Sequence, residues 1–85
     1  MPDPIDVFIG KRIRKERLNA GLTQVALAER IGVKFQQLQK YESAQNRVSG
    51  SRLWRIAQAL EVPVSALFPA EQPNEHGPSE IDRPD

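Results

Sequence analysis

Residues 35 to 42 read FQQLQKYE, in which three glutamines and a lysine surround one leucine, one tyrosine and a single acid. Glutamine can donate and accept hydrogen bonds at once, whereas lysine only donates. At 100° per residue on a helical wheel, Tyr41, Glu42 and Lys34 fall within about 60° of Leu38, and Gln36, Gln39, Lys40 and Ser43 gather on the opposite side. One side of this short helix is therefore suited to burial, and the other to recognition. In the major groove, glutamine pairs bidentately with adenine and lysine reaches guanine. The plainer alternative is that Gln and Lys are simply good solvated helix formers. Catalysis lacks its usual parts: the chain has no cysteine, its one histidine is His76 near the C-terminus, and no set of carboxylates converges on a cleft. No catalytic residue, metal ligand or cofactor is therefore expected.

The elements that must hold this face can be read on either side of it. From Ile5 to Asn19 the sequence predicts a helix with Ile9, Ile13 and Leu18 on its apolar stripe and basic residues over the remainder. Gly21 suits a C-terminal stop, and Thr23 an N-cap for a second helix, QVALAERI, with Leu27, Ala28 and Ile31 on one face. Gly32 ends that helix, and the third, about 34–42, follows almost at once, making an angular pair joined by a tight turn. After a loop, Ser49 is the expected N-cap of a fourth helix to about Glu61, with a stripe of Leu53, Ile56, Ala57 and Leu60. Pro63 opens a last short helix, PVSALF. No strand pattern is present. Asn46 and Arg47, in the loop before the fourth helix, are candidate phosphate contacts, and Arg52 could extend that patch. Trp54 is expected to be partly buried against the N-terminal segment near Phe8. Lys11, Arg12, Arg14 and Lys15 form the densest basic run, read equally as a solvated face or as a flank of the binding surface.

The stretch GLTQVALAERIGVKFQQLQKYE (21–42) resembles the helix-turn-helix of phage repressor and Cro-like proteins, the XRE family, and RLWRIAQALEVPVSALF is similar to that family's fourth and fifth helices. The resemblance covers about residues 8–68. It implies an all-α, five-helix, lambda-repressor-like DNA-binding domain with its motif at about 23–42. It also implies a sequence-specific transcriptional regulator, acting as a homodimer on a palindromic double-stranded operator. Base contacts are then expected from Phe35, Gln36, Gln39 and Lys40, and phosphate contacts from Gln24, Lys34, Gln37, Asn46 and Arg47. In the family an acid at the position of Glu42 pairs with an arginine of the first helix, here Arg17, as a structural ion pair. Phe35 departs from the polar residue usual at its place; either it packs against the turn or it touches a thymine methyl. Phenylalanine has no amide or hydroxyl with which to cooperate with Gln24, as the usual polar residue would. Ala44 replaces a common glycine. Leu67 and Phe68 are candidates for the dimer contact, or else they close the monomer's own core.

Composition agrees with one small domain. Among 85 residues, 1–68 carry eleven Lys/Arg against six Asp/Glu, whereas 69–85 carry one against five. A basic body favours a polyanionic partner. The last segment, PAEQPNEHGPSEIDRPD, has four prolines and one aliphatic residue and is read as a disordered acidic tail. No apolar run approaches the ~18 residues of a membrane span. With no signal peptide in the N-terminal sequence, a cytoplasmic location is the expectation. The other function class open to this sequence is a protein-interaction module, an antitoxin or adaptor.

Overall fold

The computed structural model describes residues 1–71. Four α-helices are followed by one 3-10 turn: α1 Pro4–Asn19, α2 Gln24–Ile31, α3 Phe35–Glu42, α4 Gly50–Leu60 and the turn Val64–Leu67. Among the described residues there is no strand, and no helix is long and apolar enough to cross a membrane. The expected fifth helix is thus only the 3-10 turn. Pro63 sits in extended geometry as its N-cap, and Phe68 leaves in extended conformation, so four residues is all the element has.

Local signals account for each boundary. α1 begins one residue earlier than Ile5, because Pro4 fits the first helical position and the Asp3 carboxylate accepts from the Ile5 amide at 2.8 Å. At its other end the Leu22 amide reaches the Arg17 carbonyl and the Gly21 amide reaches that of Leu18, satisfying carbonyls the helix leaves over. Thr23 caps α2 through the Ala26 amide, and Ser49 caps α4 through that of Arg52. Gly32 ends α2 with φ 76°, a left-handed conformation that glycine adopts without a Cβ clash, and this turns the chain into α3 within two residues. Lys34 stands at the N-cap of α3 but its side chain makes no capping bond.

The core lies between the helices and is aliphatic. Ile13, Leu27, Leu38, Ile56 and Leu67 are its largest fully buried side chains. On α1 the buried row runs Ile9, Ile13, Arg17 rather than to Leu18, which is 53% exposed. Spacing by four keeps one face of a helix inward, and at the last step that face carries a guanidinium. Leu67 is fully buried in the chain's own core, so it has no surface to offer a second copy, contrary to its candidacy as a dimer contact. Phe68, beside it, is 37% exposed. Trp54 also departs from expectation. It is 56% exposed and lines a hollow with Arg30, Gly32 and Arg55 at the end of α2, while the Phe8 ring lies instead under the Arg12 guanidinium, 5.0 Å from its centroid.

Two backbone details fix α3 against α1. Gly10 is buried where α1 crosses the end of α3, and a Cβ built there would meet the Tyr41 and Glu42 carbonyl oxygens at 2.6 Å. Only a hydrogen fits. Just beyond α3, Ala44 holds φ 63°, a left-handed conformation that costs a residue with a Cβ roughly 1–2 kcal/mol. The amides of Gln45 and Asn46 both turn back to the Lys40 carbonyl, which holds the bend despite that cost.

These two sites should respond oppositely to exchange. Although alanine is the better helix former by about 1 kcal/mol, Gly10→Ala should lower unfolding free energy by about 1–3 kcal/mol, because the clash is with backbone that cannot rotate away. Ala44→Gly should raise it by up to about 1 kcal/mol, seen as a melting temperature several degrees higher in a thermal scan.

Candidate nucleic-acid interface

The outer face of α3 is built from below by charge. Arg17 Nε donates to Glu42 Oε2 at 2.7 Å and Arg17 Nη2 to Glu42 Oε1 at 3.1 Å, a two-pronged pair with side chains only 8% and 4% exposed. The remaining guanidinium nitrogen, Nη1, donates to the Leu22 carbonyl at 2.9 Å. Glu42 Oε1 also accepts from Gln24 Nε2 at 3.0 Å. A buried charge is tolerable only when paired and hydrogen-bonded, and no buried side-chain N or O among the described residues lacks a partner. α1, the loop after it, α2 and α3 are therefore joined at one ion pair.

Above this pair the polar residues of α3 emerge together. Gln36, Gln39 and Lys40 are exposed, as is Lys34 at the N-cap. Phe35, the first residue of α3, is 39% exposed. It makes no polar link with Gln24; that place is taken by Gln39, whose Nε2 donates to Gln24 Oε1 at 3.2 Å. Gln37 is half-buried and donates from Nε2 to Asn46 Oδ1 at 3.3 Å, tying the loop to the helix. Arg47 projects from that loop with its side chain 77% exposed, and its Nε donates to Asp6 Oδ2 at 2.9 Å. Ion pairing at such an exposed site contributes little to stability, but it sets the direction in which the arginine leaves the surface.

Two expectations are altered by this geometry. Arg52 does not extend the loop patch, because its Nη1 donates to the Ile31 carbonyl at 2.7 Å and so serves the C-terminal end of α2. A cation there complements the carbonyls a helix leaves unpaired. Asp6 was not among the candidate residues. The only signal was an acid in the first turn of α1, since the contact to Arg47 spans 41 positions and has no local signature. Among the described residues no three His, Cys, Asp or Glu are grouped so as to hold a metal ion.

Residues 13–67 match the family described as helix-turn-helix. The chain belongs to that family. An HTH-type transcriptional regulator of Sinorhizobium medicae, itself uncharacterised, is 52% identical over 67 residues, covering 79% of this chain and 48% of the relative. This helix-turn-helix chain thus spans about half the length of the curated relatives it matches. Among solved structures, the restriction-modification controller protein C.AhdI from Aeromonas hydrophila superposes with a TM-score of 0.70 at 32% identity, covering 73% of this chain and 94% of the controller. The P22 c2 repressor, crystallised with a synthetic operator, gives a TM-score of 0.67 at 25% identity, over 74% of this chain and 96% of the repressor.

The central role of the buried pair can be measured. Glu42→Ala strands the Arg17 guanidinium and leaves Gln24 without its acceptor, and should lower unfolding free energy by roughly 3–5 kcal/mol. Denaturant titration followed by circular dichroism reads the change, and stability equal to that of the native chain would contradict the assignment.

Proposed function

We propose that this chain is a sequence-specific, double-stranded DNA-binding transcriptional regulator, with α3 in the major groove. The observation that carries the reading is the polar face of α3, three exposed amide and ammonium side chains on a helix anchored from behind by the Arg17–Glu42 pair. A reading helix must present its donors and acceptors in fixed register with the bases, and a two-turn helix gains that fixity only from tertiary contacts. The names of the relatives support the reading, as does the P22 c2 repressor's presence with its operator.

In this reading Gln36, Gln39 and Lys40 contact base edges, and Phe35, exposed beside them and without a polar partner, meets a thymine methyl. Gln24, Lys34, Gln37, Asn46 and Arg47 lie along the phosphates, Arg47 being aimed by Asp6. The chain acts as a homodimer on a palindromic operator with half-sites about one turn, roughly 34 Å, apart. With Leu67 committed to the core, Phe68 is the surviving candidate for the dimer contact. Residues 1–68 form the DNA-binding unit. Residues 69–85 form a separate acidic segment, of which 72–85 lie outside the described residues. The protein works in the cytoplasm, needs no cofactor and has no catalytic activity.

Selection of bound sequences from random duplex DNA, followed by titration at several salt concentrations, tests this. Gln36→Ala should relax preference at one position per half-site by about 1–3 kcal/mol. Arg47→Ala should weaken every duplex alike and reduce the salt slope by about one unit. A single weak affinity for all duplexes, unchanged by Gln36→Ala, would point instead to a protein-interaction module.

A further inference from the structure

We propose that Glu42 fixes which end of the Gln39 side-chain amide faces the DNA, so that Gln39 reads a base by its carbonyl oxygen and selects an exocyclic amine. This rests on the reading of α3 as the groove-entering helix. A carboxylate paired with a guanidinium has only lone pairs to offer. Whatever meets Glu42 Oε1 must therefore donate, and Gln24 meets it with Nε2 at 3.0 Å. That choice leaves Gln24 Oε1, an acceptor, facing Gln39, and Gln39 answers with Nε2 at 3.2 Å. The amide nitrogen of Gln39 is thereby turned inward. Its oxygen, which has no partner among the described residues, is turned out on the exposed face.

An ordinary solvent-facing glutamine can flip its amide and present either end, which makes it tolerant of keto and amino bases alike. Here the flip is opposed in sequence. Turning Gln39 over sets two oxygens against each other unless Gln24 also turns, and turning Gln24 sets its oxygen against the buried carboxylate. The carboxylate cannot adapt, because Arg17 holds both its oxygens. The buried pair thus acts as a source of polarity, transmitted through two amides to the groove. Adenine N6 and cytosine N4 are the major-groove amines that would satisfy an outward carbonyl. The O6 of guanine and O4 of thymine, at the corresponding places, would oppose it.

The test uses the full chain and the site selected from random duplexes. At each adenine and cytosine the exocyclic amine is deleted, with purine or 2-pyrimidinone in its place, and affinities are compared for native protein, Gln39→Ala, Gln24→Ala and Gln39→Glu. At one base per half-site, loss of the amine should weaken the native protein about tenfold, and Gln39→Ala should be indifferent to it. Gln24→Ala removes the latch but keeps the glutamine, so its sensitivity there should fall to about twofold or less. Gln39→Glu presents an oxygen whichever way it turns, at the cost of an oxygen set against Gln24 Oε1, and should keep the sensitivity at lower overall affinity, with circular dichroism checking that the fold is retained.

Three results would overturn the proposal while leaving DNA reading intact. They are a Gln39-dependent contact sensitive to loss of a base nitrogen or keto oxygen rather than an amine, loss of the amine preference in Gln39→Glu, and a Gln24→Ala protein that weakens on all sequences but discriminates as before. Absence of any base preference in the native protein would overturn this proposal and the functional reading together.

Discussion

Everything in this fold that faces outward from α3 depends on a carboxylate that faces inward. Glu42 closes α3 and receives Arg17 of α1 and Gln24 of α2, while Arg17 holds the loop carbonyl of Leu22. A hydrophobic contact at this place would bury area but would not define a direction, since dispersion is nearly isotropic. A two-pronged guanidinium–carboxylate pair fixes distance and plane together. For a helix of eight residues, too short to be stable alone, this fixes the angle at which it stands on the body.

The same junction explains why small residues lie around it. Gly10 lets the backbone of α1 approach the last carbonyls of α3, and that approach brings Arg17, two turns further on, into reach of Glu42. Ala28 keeps α2 slim where it is buried against its neighbours. The strained bend at Ala44 then carries the chain from α3 into the loop that bears Asn46 and Arg47. Conformational cost is accepted at one residue, and the loop's polar groups are thereby directed back along the helix.

Much of this was legible in the sequence because the signals are local. Thr23, Gly32 and Ser49 mark boundaries by their own backbone chemistry, and the stripes of α2 and α4 appear as expected. The inward and outward division of α3 follows from helical periodicity alone. What was not legible depends on which helix faces which. The last inward position of α1 belongs to Arg17 and not to Leu18, although periodicity allows either. Trp54, whose residue type favours partial burial, is instead 56% exposed, because the α4 stripe is already complete without it. Leu67 and Phe68 are adjacent and both apolar, and only the direction of the 3-10 turn sends one into the core. The bonds Arg47–Asp6 and Gln39–Gln24 join residues far apart in the chain, for which a single sequence carries no pattern.

The exposed positions of α3 have a further consequence for how such a domain changes over time. The side chains of Gln36 and Lys40 are exposed and make no hydrogen bond among the described residues, the Lys40 bonds being those of its backbone carbonyl, so exchanging these side chains costs the fold little. Their neighbour Gln39 is bound into the framework through Gln24. On the proposed reading of α3, a new target sequence would be reached most readily through Gln36 and Lys40, whereas exchanging Gln39 would also break its bond to the framework.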